Sequence, residues 1–227
     1  VAQAVKNATL DELREQVVAC TACGLCDGRR HAVFGQGATP TRWLVVGEAP
    51  GEQEDRQGHP FVGRSGQLLD AMLAAVGMSR ETDVFITNVI KCRPPGNRNP
   101  KPEEIAACSP YLMRQIALLK PERILVLGRF AAQTLLGTDA TIGSLRGRVH
   151  ALKTDEGVEI PVIVSYHPAY LLLWLQLPIN VIIVIFGTVV AVLMVVFMRW
   201  SKRNMQANPG LHDQIGQEGH GRALDST

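Results

Sequence analysis

Four short apolar runs punctuate the chain: Trp43–Val46, Val84–Thr87, Ile124–Leu127 and Val162–Ser165. Each is continuous rather than alternating in polarity, the pattern of strands buried on both faces of a parallel sheet. Between them lie segments with helical spacing, Ser65–Val76, Pro102–Leu119 and Arg129–Leu136. Pro102 suits a first helical turn, where its missing N–H costs nothing. Ahead of all of these, Thr9-Leu-Asp-Glu12 has the capping-box spacing and predicts a helix over Leu10–Ala19. Strand–helix alternation predicts an α/β fold: an open parallel four-stranded sheet with flanking helices on both faces, a three-layer sandwich.

The pattern changes near the end. From Ala169 to Met198 there is no Asp, Glu, Lys or Arg, and Ile179–Met198 reads INVIIVIFGTVVAVLMVVFM. As a helix this stretch would span about 30 Å, the thickness of a bilayer's hydrocarbon core. Arg199, Lys202 and Arg203 follow at once, and Trp174 and Trp200 flank it as interfacial anchors. A buried core helix is the competing reading, but soluble helices are rarely apolar all round at this length. The expected organisation is a domain over 1–173, a transmembrane helix over 174–200 and a polar, disordered tail over 201–227.

Net charge is +2, so bulk electrostatics do not announce a nucleic-acid partner. Lys91, Arg93, Arg98 and Lys101 nevertheless crowd one loop. Such a loop can contact phosphates even in a near-neutral domain. Val1–Ala19 contains no apolar core of a secretory leader.

Cysteine usage is the strongest chemical signal. Cys20 and Cys23 form a C-x2-C, and Cys92 and Cys108 lie far downstream with 15 residues between them. Four thiolates from two distant segments suit an iron–sulfur cluster or a structural zinc. Either would tie the N-terminal arm to the middle of the chain. A disulfide framework fits poorly, because such scaffolds are usually short secreted chains. Cys26 extends the first pair to C-x2-C-x2-C, without the rest of a ferredoxin pattern.

In open α/β sheets ligands bind off the carboxyl ends of the strands. Those ends carry Gly47-Glu48-Ala49-Pro50-Gly51, then Asn88, then Gly128-Arg129, then His167-Pro168. A carboxylate, an amide and an imidazole therefore share one rim. Gly47 and Gly51 would let backbone amides approach a ligand. The G-x-G-x-x-G fingerprint is absent, so no nucleotide cofactor is expected. Phe61, between Pro60 and Val62, is either a stacking platform or an ordinary core side chain.

The segments GEAPGEQED, PFVGRSGQLLD, ITNVIKCRPPGNRNP and VSYHPAYLL closely resemble the family 4, iron–sulfur uracil-DNA glycosylases, over about Leu10 to Leu172. The acidic residue of GEAPG separates the chain from the related family 5 enzymes. The resemblance implies a DNA-repair hydrolase that cleaves the N-glycosidic bond of uracil in DNA, in the cytoplasm. It also implies a 4Fe-4S cluster on Cys20, Cys23, Cys92 and Cys108, with zinc as the fallback and Cys26 surplus. Uracil would leave the base stack for a pocket formed by Gly47, Ala49, Gly51, Glu54, Phe61 and Asn88. In that pocket Phe61 would stack on the base, Asn88 would read its amide edge and Glu54 would crowd the C5 side. His167 would donate to the departing uracil oxygen, and Glu48 would hold the water or stabilise the cationic sugar. Arg93, Arg98 and Lys101 would face DNA, and Leu171 or Leu172 would wedge into the duplex.

One departure stands out. Family members usually continue past HPAYLL with an arginine and a charged amphipathic helix, whereas this chain has Leu173 and then the apolar span. Positive charge lies just after that span and none lies in the 20 residues before it, which by the positive-inside rule places the tail in the cytoplasm and the domain outside. That conflicts with a DNA substrate. The sequence thus leaves a second reading open: a chimera or single-pass membrane protein, tethered through 179–198, that carries the glycosylase part as a passenger.

Overall fold

The computed structural model describes residues 5–154 and 157–175. The elements run α1 (Leu10–Val18), β1 (Gln36–Gly37), β2 (Trp43–Gly47), α2 (Glu52–Gln57), α3 (Arg64–Ala75) and β3 (Val84–Asn88). They continue with α4 (Pro102–Leu119), β4 (Arg123–Leu127), α5 (Arg129–Leu136), α6 (Ile142–Leu145), β5 (Val149–Lys153), β6 (Glu159–Ser165) and α7 (Pro168–Leu175). The capping box of α1 is formed: the Thr9 amide donates to the Glu12 carboxylate at 2.8 Å, and the Glu12 amide donates to Thr9 Oγ1 at 3.4 Å.

The sheet has six strands in the order β1-β3-β2-β4-β6-β5. Its four central strands pair parallel and are the four apolar runs of the sequence. The expected four-stranded parallel sheet is thus the centre of a mixed one, because β1 and β5 add antiparallel edges. Neither edge leaves a hydrophobic signature. β1 is only two residues long, and β5 buries only Leu152 fully.

Alternate residues of the central strands feed opposite layers, which is why the runs are apolar throughout. Leu44, Val46, Phe85, Ile124, Val126, Val162 and Val164 join the core that also holds Leu13, Leu112, Ile116 and Ala131. Trp43, Val45, Ile86 and Leu127 join Leu69 and Leu73 of α3 on the other face.

The N-terminal arm is stitched to α4. The Arg114 guanidinium donates twice to the Ala8 carbonyl, at 2.9 and 2.7 Å, and Gln115 Nε2 donates to the Phe34 carbonyl at 2.9 Å.

The expected membrane span at Ile179–Met198 and the tail at 201–227 lie outside the described residues. Among the described residues no helix is long and apolar enough to cross a membrane.

Candidate functional site

The β2 and β3 ends set the first part of the rim. Gly47 pairs with Asn88 in register, and the ladder runs on as the Val89 and Ile90 amides donate to the Gly47 and Glu48 carbonyls at 2.9 and 3.1 Å. A Cβ on Gly47 would fall 2.4 Å from Asn88 Oδ1 and 2.8 Å from the Phe61 ring. Only glycine lets the amide and the ring close over this strand end.

Asn88 is 1% exposed, and its Oδ1 accepts no hydrogen bond from the protein. Leaving a buried acceptor unmet costs about 1–3 kcal/mol, so this atom is set up for a donor that the protein does not supply. Phe61 lies beside His167, with ring centroids 5.4 Å apart at 31°. Glu48 is half-buried, and its burial raises the carboxyl above its ordinary range, with Arg129 opposing.

His167 lies two residues past the end of β6. Burial pushes its imidazole down to about 4, with Glu54 opposing, so the ring is neutral near pH 7. The Ala169 amide donates to His167 Nδ1 at 3.1 Å, which leaves the ring proton on Nε2. The site therefore holds a neutral imidazole N–H donor.

This carries a pH prediction. Between its ordinary value of about 6.5 and about 4, the folded His167 holds fewer protons than the unfolded one. Its contribution is complete above the higher value and is lost as pH falls through the lower. The stability of the wild type relative to His167→Ala should therefore drop by at most about 3 kcal/mol on acidification. Urea unfolding of both proteins at pH 7 and pH 4 measures it. A difference that does not vary with pH would show that the ring is not buried neutral.

Glu54 does a job that its sequence position did not announce. Its Oε1 accepts from the Val62 and Gly63 amides, both at 2.9 Å, and so grips the loop that carries Phe61. Gly51 caps α2, with room there only for the Glu54 carboxylate; Ala49 packs partly buried against the core.

Cys20, Cys23, Cys92 and Cys108 line one cavity together with Cys26 and Tyr111. All five thiols are free. Donors converge on the sulfurs: Arg29 Nη1 on Cys92 at 3.2 Å, the Lys91 amide on Cys108 at 3.4 Å and the Ala22 amide on Cys20 at 3.5 Å. Burial pushes the Cys108 thiol up to about 11 and raises Cys92 as well, with Lys91 and Arg29 respectively opposing. Cys26 instead donates to Asp27 at 3.3 Å, which raises its thiol.

With this geometry in hand, comparison with known proteins decides the family. A family profile described as the uracil DNA glycosylase superfamily matches residues 34–180. The chain belongs to that superfamily. It is 44% identical to the type-4 uracil-DNA glycosylase of Archaeoglobus fulgidus over 168 residues, 72% of this chain and 83% of that protein. It is likewise 44% identical to that of Thermotoga maritima over 164 residues, 72% and 83% of the two chains. Similarity to the type-5 uracil-DNA glycosylase of Thermus thermophilus is lower, 31% over 185 residues, 65% of this chain and 82% of that protein.

The basic loop is less free than its composition suggested. Lys91 is 1% exposed, and its Nζ donates to Thr87 Oγ1, the Asn88 carbonyl and Gln115 Oε1 at 2.7, 2.7 and 2.6 Å. It belongs to the interior beside Asn88 and does not reach a ligand outside. Arg98 pairs with the Glu104 carboxylate at 2.9 and 2.5 Å. Arg93 donates to Asn97 Oδ1 at 2.7 Å, and Lys101 is exposed. Leu171, expected as a wedge, is 7% exposed against Leu68 and Met72; Leu172 is partly buried against the same cluster. The large exposed side chain of that turn is Tyr170, stacked on Tyr166 at 5.1 Å between centroids.

Proposed function

We propose that this chain is a DNA-repair hydrolase that releases uracil from DNA by cleaving its N-glycosidic bond, in the manner of the type-4 enzymes that it matches at 44% identity. The observation that carries the reading is the buried, unpartnered Asn88 Oδ1 at the end of β3, packed beside Phe61. An imide N–H of a flipped base meets that acceptor, and the Asn88 amide N–H₂ serves the neighbouring carbonyl. Cytosine offers the opposite polarity on that edge.

In this reading Phe61 supplies the stacking face. His167 donates through Nε2 to the uracil oxygen as negative charge builds there. Glu48 stabilises the positive sugar or orients the attacking water. Its partly buried setting strengthens both interactions, because nearby water no longer screens them. Lys101 would offer the exposed phosphate contact of this loop, while Arg93 and Arg98 would serve DNA only in exchange for Glu52 and Glu104.

Cys20, Cys23, Cys92 and Cys108 would hold a 4Fe-4S cluster. Four thiols from two distant segments lining one shared cavity suit such a cluster, in which each sulfur would bind a different iron. Held by both segments, it would serve structurally, with Cys20 and Cys23 fastening the N-terminal arm beside the loop after β3 that carries Cys92. Arg29 and Lys91 offset the negative charge of the thiolates.

The test is uracil release from a uracil-containing oligonucleotide. Asn88→Asp removes the amide donor and should slow release by about tenfold or more, while the wild type is active. A wild-type chain that binds such DNA without releasing uracil would overturn the proposal in favour of a non-catalytic binding module.

A further inference from the structure

Phe61 holds an unusual backbone conformation. Its φ is +51°, in the left-handed region that non-glycine residues avoid. Such a conformation persists only where the surroundings over-determine it, and here the surroundings can be named. Arg80 sits in the turn between α3 and β3, with its side chain 14% exposed. Its Nη1 donates to the Pro60 carbonyl at 3.1 Å and its Nη2 to the Phe61 carbonyl at 3.0 Å. Nε and Nη2 also donate to Asp70 Oδ1 of α3, at 2.9 and 2.6 Å.

The opposite side of the same loop is gripped by Glu54, which accepts from the next two amides, Val62 and Gly63. Four consecutive residues, 60 to 63, are thus pinned by two charged side chains, one on the carbonyls and one on the amides. Gly66 completes the arrangement. A Cβ there would lie 1.8 Å from the Phe61 carbonyl oxygen, so the first turn of α3 presses directly on this peptide.

We propose that Arg80 is a positioning residue for the base-stacking platform: anchored by Asp70, its guanidinium holds the 60–61 carbonyls and so fixes the Phe61 ring where a flipped base would stack. This rests on the reading of Phe61 given above. Arg80 donates to protein groups alone and acts only through Phe61. The planar fork matters, because three of its nitrogens serve two carbonyls and a carboxylate at once. Lysine at this position would provide one point charge and could not hold the same set.

The test is a double-mutant cycle read by single-turnover uracil release, by inhibition with free uracil and by thermal unfolding. Arg80→Ala should slow release by about tenfold or more, because a misplaced contact costs rate steeply, and should weaken uracil inhibition by a similar factor. Arg80→Lys and Asp70→Asn should give smaller losses of both. In a Phe61→Ala background the same Arg80 changes should cost less than about twofold, since the group acted upon is gone. Equal losses in both backgrounds, or a lower unfolding temperature with unchanged uracil inhibition in all three variants, would overturn the proposal while leaving the glycosylase reading intact. A wild-type chain that neither releases uracil nor is inhibited by it would overturn both.

Discussion

Replacing His167 or Glu48 with alanine should slow single-turnover uracil release by about a hundredfold or more each, the usual cost of removing one preorganised electrostatic contact. The reason differs between the two. His167 loses a neutral Nε2–H donor whose orientation is set by the Ala169 amide on Nδ1. Glu48 loses a partly desolvated carboxylate beside the rim. His167→Asn keeps a neutral donor and should recover part of the loss, whereas Glu48→Gln removes the charge and should recover little. Near-wild-type rates in both alanine variants would mean that the rim has been misassigned.

Changing Cys108 to alanine should have the largest structural effect. Removing one of the four proposed ligands, from a cavity that α4 shares with the N-terminal arm, should abolish bound iron. In intact protein iron and sulfide should each approach about four per chain, with broad visible absorbance. Metal-site formation is coupled to folding, so Cys108→Ala should also expose the arm before residue 30 to limited proteolysis. Cys26→Ala should keep both iron and protection, since that thiol is engaged with Asp27. Stoichiometric zinc in anaerobically prepared protein would sink the cluster while leaving its four ligands in place. Loss of iron in Cys26→Ala alone would show that the ligand set is wrong.

Local pattern decided much of this molecule. Burial on both faces writes itself into a strand as an unbroken apolar run, so the four central strands were legible. Helix starts at Thr9 and Pro102 were legible because capping and the missing proline N–H are properties of one turn. The strand-end rule then placed Gly47, Glu48, Asn88 and His167 on one rim, since strand direction and chain order suffice for that. The edge strands were not legible: Gln36–Gly37 is too short for any period, and Val149–Lys153 is mostly exposed along its length.

What the sequence could not contain was partnership across distance. Lys91 reads as one of four cations in a loop, yet it is the side chain turned inward onto Thr87, Asn88 and Gln115. Arg98 reads as a free phosphate contact and is paired to Glu104. Leu171, one of the two leucines expected as a wedge, packs against Leu68 and Met72 of α3. Arg80 gave no signal at all, because its carbonyl partners lie 20 and 19 residues upstream across a helix. Residue type, spacing and capping are short-range and survive in one dimension, so the sequence alone determined the class of fold, its central strands and which residues stand at the strand ends. Which charge is neutralised, which apolar group is covered and which backbone is held at +51° depend on what packs against it. Only the tertiary structure decided those, because desolvation and hydrogen bonding act between neighbours in space.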